Sequence, residues 1–512
     1  MDDLEIQRVR GTNDVLPEER LVQEEARARL GEIFGLYGYE PIDTPVLEPT
    51  DLFLRKAGEE IAARMYSFTH WNRNLCLRPE FTASIIRAYV NHLQDRPIPV
   101  RLRYAGPTFR YEKPGLVRHR QFTEVGVECI GAEGAAADAE VLAVARHGLE
   151  AMQVTGARFV VGHLGAVFEL LSQLGMPSRA QSLVIGVMEH VSRAPGEAER
   201  VVTRLAAMLG AAEEPDSGED GALGELLHSF GPERAARIAG DLLERANFSL
   251  SGGSRSPSEI VERLLLKWYR PDPTPAIRRA VDFIGELRAV AGPPVEALPA
   301  LRRVLADFGL HDGPVLEVEA ALEYFDRYAG VPLDIRVDLS LARGLRYYTG
   351  LVFEVYDDEG NQIAGGGRYD DLVRALGGRG PTPACGFSFG LERLLAAVQR
   401  AGTVASPDRS VRALVVPVES SDYGEVATLA AELRRGGVPV EVDVRFRGMR
   451  ANLRYADRRG IPLVLALGER ERAEGVVALR DMSAFEEARV ARADVVRAVL
   501  ARVRAGTTPE PA

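Results

Sequence analysis

The chain has 512 residues, a formal net charge of −11 and a hydrophobic fraction of 46%. That length holds about three domains with ordinary cores, and the acidic balance excludes a protein that coats nucleic acid over its whole surface. No run of about 18 apolar residues offers a membrane span, and the charged start MDDLEIQRVRGTNDVLPEE has no apolar signal core. Cys76, Cys129 and Cys385 lie far apart, which excludes a disulfide framework or cysteine zinc spacing and predicts a reducing, cytoplasmic setting. Lysine occurs only at Lys56, Lys113 and Lys267, so there is no GK[ST] phosphate loop. Phosphate binding must then use arginine forks and backbone amides, although a GC-rich genome accounts for the arginine bias itself.

Arg10 to Asp14 opens as a turn. Pro17, Glu18 and Glu19 predict a helix start, and the helix runs to about Tyr37, with Ile33, Phe34 and Tyr37 on its apolar side and Gly38 ending it. Tyr39 to Leu47 reads as a strand with Pro45 near a sheet edge. Arg64 to Thr69 and Asn74 to Leu77 read as a hairpin, and the stretch from Arg78 to Ala83 opens a helix through Val90. Glu80 and Thr82 at that junction serve equally as helix caps or as a grip on an ammonium group.

Two strands, Arg101 to Glu112 and Phe122 to Ile130, flank a basic loop holding Lys113, Arg118, His119 and Arg120. Alternation puts Arg110 on one face with Glu112, and Glu124 on one face with Glu128. A mixed face of this kind is a surface ion-pair ladder or a polar site. Exposed ion pairs add little stability, and the adjacent basic loop favours a polyphosphate site. Ala135 to Gly148 and Leu164 to Leu174 read as helices around a strand, Ala157 to Gly162. From about Ser182 to Gly330 the pattern is helical, with a flexible stretch at Ser249 to Pro257 and no chemistry, as expected of an inserted domain.

Asp334 to Ser340 returns to strand character and leads into the most informative stretch, Leu339 to Val398. Arg343 and Gly344 precede paired tyrosines and a strand, Leu351 to Tyr356. Gly365 to Gly367 runs into Arg368, Tyr369 and Asp370. Gly386 and Gly390 flank a short apolar strand that feeds a helix with Glu392 and Arg393. Glycines let a ligand lie against the backbone, and the arginines and tyrosines beside them suit an anionic, planar ligand. Val411 to Arg504 then alternates strand and helix as a small α/β domain: Ala413 to Val418, Tyr423 to Arg435, Val438 to Val444, Met449 to Arg458, Pro462 to Leu467. Eight arginines between positions 434 and 459 face three acids there. They read as a solvated helix face or as an RNA-backbone contact led by Arg450 and Arg454.

These motifs resemble the histidyl-tRNA synthetase family of class II aminoacyl-tRNA synthetases. RGTNDVLPEE is similar to the family's N-terminal signature, YGYEPIDTPVLEP to motif 1, FRYEKPGLVRHRQF to motif 2 and GFSFGLERL to motif 3. ARGLRYYTGLVFE and AGGGRYD are similar to the two histidine-specific motifs. The resemblance implies an α+β fold: an antiparallel-sheet catalytic core over 1–182 and 331–402, a helical insertion over 183–330, and an anticodon-binding-like α/β domain over 411–506. It implies ATP with Mg²⁺, histidine and tRNA(His) as ligands, and a homodimer. By the same resemblance Arg110 holds the α-phosphate and the substrate carboxylate, Glu112, Arg118 and Arg120 serve ATP, Phe122 stacks on adenine and Arg393 clamps the nucleotide from its other side. Glu80 and Thr82 bind the α-amino group, Glu128, Tyr348 and Tyr369 read the imidazole, and Arg343 is the electrostatic catalyst.

Two positions depart from the family pattern. Glu124 stands where a Gln usually touches the α-amino group, and a third carboxylate beside Glu80 and Glu128 tends to raise a carboxyl pKa. Arg346 replaces a common Asp. These departures, with the stretch VVGHLGAVFELLSQLG, also resemble a non-catalytic paralogue, the histidine-sensing regulatory subunit of ATP phosphoribosyltransferase, whose partner is that enzyme's catalytic subunit. The intact motif 2 and motif 3 arginines and the C-terminal domain favour the synthetase.

Overall fold

A computed structural model describes residues 6–54, 63–112, 119–188, 197–209, 272–328, 330, 333–342, 347–401 and 411–505. The chain divides into two compact units, Met1–Val404 and Ala405–Ala512.

The first helix is Pro17–Leu36, with Pro17 in its first turn and Glu18 and Glu19 at its positive end. Gly38 follows at φ +80°, a conformation that favours glycine. The expected strand from Tyr39 to Leu47 is not one element. Only β1 (Glu40–Pro41) and β2 (Leu47–Pro49) pair, and they belong to different sheets. Pro41 and Pro45 cannot donate to a ladder, and the Asp43 carboxylate accepts the Thr44 N–H at 2.8 Å, turning the chain between them.

The hairpin follows as β3 (Ser67–His70) and β4 (Arg73–Leu77), joined by Trp71 and Asn72, both at positive φ. This is the twist a two-residue hairpin loop requires. With β2 they form a three-stranded sheet. The helix Thr82–His92 comes next, then the long antiparallel pair β5 (Val100–Phe109) and β6 (Gln121–Ile130). β5 stops at Phe109, short of the expected Glu112.

The central sheet is completed by β7 (Arg158–His163), β8 (Asp334–Val337), β9 (Leu351–Tyr356), β10 (Gln362–Arg368) and β11 (Ala384–Gly390), in the order β1-β5-β6-β11-β10-β9-β7-β8. The six inner strands pair antiparallel and only the two ends are parallel. One face carries Phe353 and Phe389 into a continuous apolar core with Phe34 of the helix Pro17–Leu36 and Leu142 of the helix Ala135–Ala151. Burying such a face is the main favourable term for folding.

The described parts of the 183–330 region are helical: Glu197–Met208, Thr274–Ala289, Pro294–Asp307 and Gly313–Arg327. Phe283, Leu301 and Phe325 on the last three sit in the same core as the sheet. The stretch Ser249 to Pro257 lies outside the described residues.

In the second unit, β12 (Ala413–Pro417), β13 (Val440–Val442) and β14 (Leu463–Leu467) are parallel, with the helices Tyr423–Arg435 and Met449–Arg459 between them. β15 (Val476–Asp481) and β16 (Glu487–Ala491) extend the sheet antiparallel. The strand–helix alternation does not announce this last hairpin. β12 and β14 are buried on both faces, Val415 and Leu465 in one cluster and Val416 and Val464 in another, as a covered parallel sheet demands.

Candidate active site

A cavity of about 800 Å³, counted to its open mouth, lies on the uncovered face of the central sheet in the first unit. Its floor is made of small residues. Gly365, Gly386, Ser388 and Gly390 leave the backbone of β10 and β11 accessible. Glu124 and Glu128 project from β6 on this face, opposite Gly390 and Gly386.

Glu128 is fully buried and surrounded by hydroxyls. Its Oε1 accepts Thr82 Oγ1 at 2.7 Å and the Tyr104 hydroxyl at 3.2 Å, and its Oε2 accepts the Tyr369 hydroxyl. A carboxylate offers about four lone-pair sites, so in its ionised form one remains for a further donor. Tyr347 and Tyr348 stand beside Tyr369, with ring centroids 5.6 and 6.4 Å away.

Glu80 serves the helix start, one of the two uses its position suggests. Its carboxylate accepts the Ala83 N–H at 3.1 Å in the first turn of the helix Thr82–His92, and it also lines the cavity. The preceding Arg78 is buried, donates to the Pro107 and Thr44 carbonyls at 2.9 and 2.6 Å, and lies 3.7 Å over the Phe81 ring. It fixes the backbone that presents Glu80 and Thr82.

Arg110 crosses the cavity. Its Nε donates to the Pro79 carbonyl at 2.7 Å and its Nη2 to Glu124 at 2.9 Å. Phe122 and Arg393 line the same cavity, as do Glu112 and Glu392. Arg393 donates to the Gln362 carbonyl at 3.2 Å. The Glu392 carboxylate receives the Thr123 N–H at 2.9 and 3.0 Å, which ties the helix Leu391–Arg400 to β6.

Among the sequence-derived residues, Glu80, Thr82, Arg110, Glu112, Phe122, Glu124, Tyr348 and Arg393 line the cavity, and Glu128 and Tyr369 meet behind it. Arg120 does not line it. Its guanidinium is held by the Arg10 carbonyl at 3.0 Å, the Glu112 carbonyl at 3.2 Å and the Tyr111 ring at 3.9 Å, so the N-terminal signature straps this arginine. Arg118, Arg343 and Arg346 lie outside the described residues. Tyr104 and Gln362, which carried no role in the sequence, also line the cavity, as do His119 of the basic loop and Tyr347 of the tyrosine pair. For Tyr104 a signal exists: counting along the hairpin pairs it with Gly126, a large residue opposite a glycine.

In the second unit Arg450 and Arg454 are exposed on one side of the helix Met449–Arg459 and make no ion pair among the described residues. Arg447 and Arg459 are paired, with Asp443 and Glu441. Beyond the carboxyl ends of β12 and β13, Val418, Val444 and Phe446 are exposed, and the Tyr423 and Phe446 rings meet at 5.7 Å. Asp443 is fully buried. It accepts the N–H groups of Arg445 and Arg447 and the Asn452 amide at 3.1, 2.6 and 2.9 Å, holding Phe446 at φ +52°.

An antiparallel sheet with its floor of glycines, a motif 2 hairpin and a motif 3 strand–helix around one cavity defines the catalytic fold of a class II aminoacyl-tRNA synthetase. A family model described as histidyl-tRNA synthetase matches residues 11–217 and 273–394, and one described as anticodon binding domain matches 412–502. The histidine–tRNA ligase of Pyrococcus horikoshii is 30% identical over 96% of this chain and 98% of its own length, and that of Methanocaldococcus jannaschii 32% over 94% and 96%. The solved apo histidyl-tRNA synthetase of S. aureus superposes with a TM-score of 0.63 at 25% identity, covering 97% of this chain and all of that one. The enzyme from Nostoc sp. PCC 7120 shares the fold at 19% identity, with a TM-score of 0.64 over 98% of this chain and all of its own. The chain belongs to the histidyl-tRNA synthetase family.

The carboxyl groups of the site set its pH behaviour. Burial, and then the Glu124 charge, push Glu80 up to about 7, against the Ala83 N–H and Arg110. Burial pushes Glu128 up to about 8, with Glu80 adding to the rise and the Tyr369, Thr82 and Tyr104 hydroxyls opposing it. The folded chain therefore keeps protons that the unfolded chain releases from about pH 4.5 upward. The stability these two groups confer is full below that range and is lost as pH rises through 7 and 8. The ligand-free protein should show a melting temperature that falls over this window, and Glu80→Gln or Glu128→Gln should flatten the fall. Equal slopes in wild type and both variants would disprove the assignment.

Proposed function

We propose that this site joins histidine to ATP as histidyl-adenylate and passes the histidyl group to tRNA, the histidine–tRNA ligase activity of its family. One observation supports this reading most: a buried carboxyl, Glu128, ringed by three hydroxyls at the end of a cavity whose other members suit an ammonium group and a nucleotide. Glu128, with Tyr369 and Tyr348, reads the two imidazole nitrogens. A ring without them leaves buried polar groups unpaired, which penalises it strongly. Glu80, Thr82 and Glu124 take the α-ammonium.

Phe122 and Arg393 hold the adenine between them, and Arg110 orients the substrate carboxylate against the α-phosphate. Attack of that carboxylate builds negative charge on the phosphoryl oxygens, and fixed guanidinium groups stabilise it without a side-chain nucleophile. Arg343 is the second such group. Pyrophosphate leaves, and a hydroxyl of the terminal ribose of tRNA then displaces AMP. Mg²⁺, when bound, neutralises the polyphosphate. The hard carboxylate oxygens of Glu112 and Glu392 fit it, since this ion is commonly held by one or two carboxylates plus substrate phosphates.

In the second unit, Phe446 and Tyr423 offer faces for unstacked anticodon bases, and Arg450 and Arg454 meet the RNA backbone. Among the described residues no helix is long and apolar enough to cross a membrane. The three thiols are free and buried, which suits the cytoplasm, where tRNA is charged. A homodimer is supported by apolar side chains exposed on and beside the small sheet: Leu47, Leu54, Phe68 and Trp71, the last 83% exposed.

Purified protein should exchange pyrophosphate into ATP with histidine and with no other amino acid. Arg343→Ala should abolish the exchange while ATP still binds. Histidine binding without exchange in the wild type would instead fit the histidine-sensing regulatory subunit. Phe446→Ala should weaken tRNA binding by about 1–3 kcal/mol, and removing Arg450 and Arg454 should flatten its salt dependence by about one unit of slope per lost phosphate contact. Fluorescence anisotropy with labelled tRNA reads both, and unchanged affinity and slope would reduce this surface to a solvated face. Sedimentation should show a dimer that Trp71→Asp dissociates; a wild-type monomer would contradict the assembly.

A further inference from the structure

Arg368 ends β10, one residue before Tyr369, and points away from the cavity. It sits opposite Cys385 on the face covered by helices. It is 4% exposed, and its N–H groups meet a ring of acceptors. Nε donates to the Asp138 carboxylate at 3.0 Å, and Nη2 lies 2.8 Å from the same group. Nη1 reaches the Ala132 carbonyl and Asp370 Oδ1, both at 3.0 Å, and Nη2 also reaches the Gly134 carbonyl at 3.2 Å. Asp138, 6% exposed, belongs to the first turn of the helix Ala135–Ala151, where the helix dipole favours a carboxylate. Neither residue lines the cavity, and the reaction uses neither.

A buried ion pair is a weak source of stability, because apolar side chains of similar size often serve as well. What this pair holds in place is more specific. The Thr349 N–H donates to the Arg368 carbonyl at 2.8 Å, and the Asp370 N–H donates to Thr349 Oγ1 at 3.0 Å. The Tyr369 N–H donates to the Ala384 carbonyl at 2.8 Å, and Asp370 Oδ1 accepts the Ala384 N–H at 3.2 Å. Residues 368–370 are thus clamped between the 347–350 segment and the head of β11. Tyr369 leaves this clamp to reach Glu128. A guanidinium fork can satisfy acceptors on three sides at once, which a lysine ammonium cannot do in one plane.

We propose that the buried Asp138–Arg368 pair is a positioning element of the amino-acid pocket. It ties the N-terminus of the helix Ala135–Ala151 to the end of β10, and so sets where the Tyr369 hydroxyl meets Glu128 and where Tyr347 to Thr349 dock. This rests on the reading of that pocket as the histidine site. The nucleotide contacts proposed at Phe122 and Arg393 come from β6 and the helix Leu391–Arg400, and the bond from Arg393 to β10, at the Gln362 carbonyl, is at the far end of that strand from Arg368.

Asp138→Asn keeps the shape of the side chain and removes its charge. In the pyrophosphate exchange reaction it should raise the KM for histidine about tenfold, short of the roughly hundredfold loss that a misplacement of about 1 Å can cause. The KM for ATP should stay within about twofold, because its contacts are untouched. Arg368→Lys should show the same split. A folded Asp138→Asn chain with the wild-type KM for histidine overturns the proposal, and so does a parallel rise for histidine and ATP. Should the single variants fail to fold, Asp138→Leu with Arg368→Met removes both buried charges together. If that chain is folded and keeps the wild-type histidine KM, the pair is structural only; a raised histidine KM with normal ATP KM supports positioning. Calorimetric titration with histidine gives the same readout without turnover. Failure of wild-type exchange would therefore count against the ligase reading and leave the positioning proposal to be judged by binding alone.

Discussion

Glu128 and Gly386 face one another across β6 and β11, and the carboxyl group of the first fills the space that a side chain on the second would need. A Cβ on Gly386 would lie 1.8 Å from Glu128 Oε2. The same trade recurs beside it. A Cβ on Gly126 would meet the Tyr104 hydroxyl at 2.7 Å, and one on Gly366, on the opposite face, would meet the Phe387 Cβ at 2.4 Å. These glycines are not turns. They thin the sheet so that functional side chains can lie across neighbouring strands on one face and aromatic rings can pack on the other. The antiparallel order β6-β11-β10 is therefore a condition of the site: a slip of one residue would exchange the two faces and put Glu128 among the core phenylalanines.

With the floor fixed, the charges around it constrain each other. Glu80 and Glu124 line one end of the cavity with Glu128 behind them, and Arg110 donates to Glu124. Arg110 pairs with Glu124, and burial keeps Glu80 and Glu128 protonated to higher pH than an ordinary carboxyl. Under the proposed function, an incoming α-ammonium would favour the ionised form of Glu80 and displace its proton, linking binding to proton release. The Glu124 departure from the family pattern is accommodated by the ion pair with Arg110.

Much of this was legible in the sequence, and the gaps have physical causes. The helix from Pro17, the hairpin before Arg78, the β5–β6 pair, β9 and the helix Tyr423–Arg435 all follow from period, caps and glycines. The stretch from Tyr39 to Leu47 did not, because its apolar residues suggest a strand while two prolines and an Asp43 turn decide otherwise. The β15–β16 hairpin was invisible to a reading tuned to alternating strands and helices. In the site, residues carried by motifs reach the cavity, whereas Tyr104 and Asp138 act through strand register and helix packing that no local motif encodes. Arg120 sits within motif 2, yet its guanidinium is held by the Arg10 carbonyl, about 110 residues earlier, as well as by the Glu112 carbonyl of its own motif. A resemblance of motifs assigns such a residue by neighbourhood, and only the fold shows which way its side chain turns.

The second unit solves a different problem with similar means. There an aromatic ring, Phe446, is held out of the core, into which the hydrophobic effect alone would pull it. The buried Asp443 carboxylate pays for this by gathering two backbone N–H groups, the Arg447 guanidinium and the Asn452 amide. These bonds hold Phe446 in a left-handed conformation and leave its ring 51% exposed. Arg447 in turn lies 4.1 Å over the Tyr455 ring and is thereby withdrawn from the pool of free cations. The arginine cluster that looks uniform in the sequence is in this way sorted by the fold. Arg447 and Arg459 build the loop and the helix packing, and Arg450 and Arg454 remain exposed on the helix Met449–Arg459.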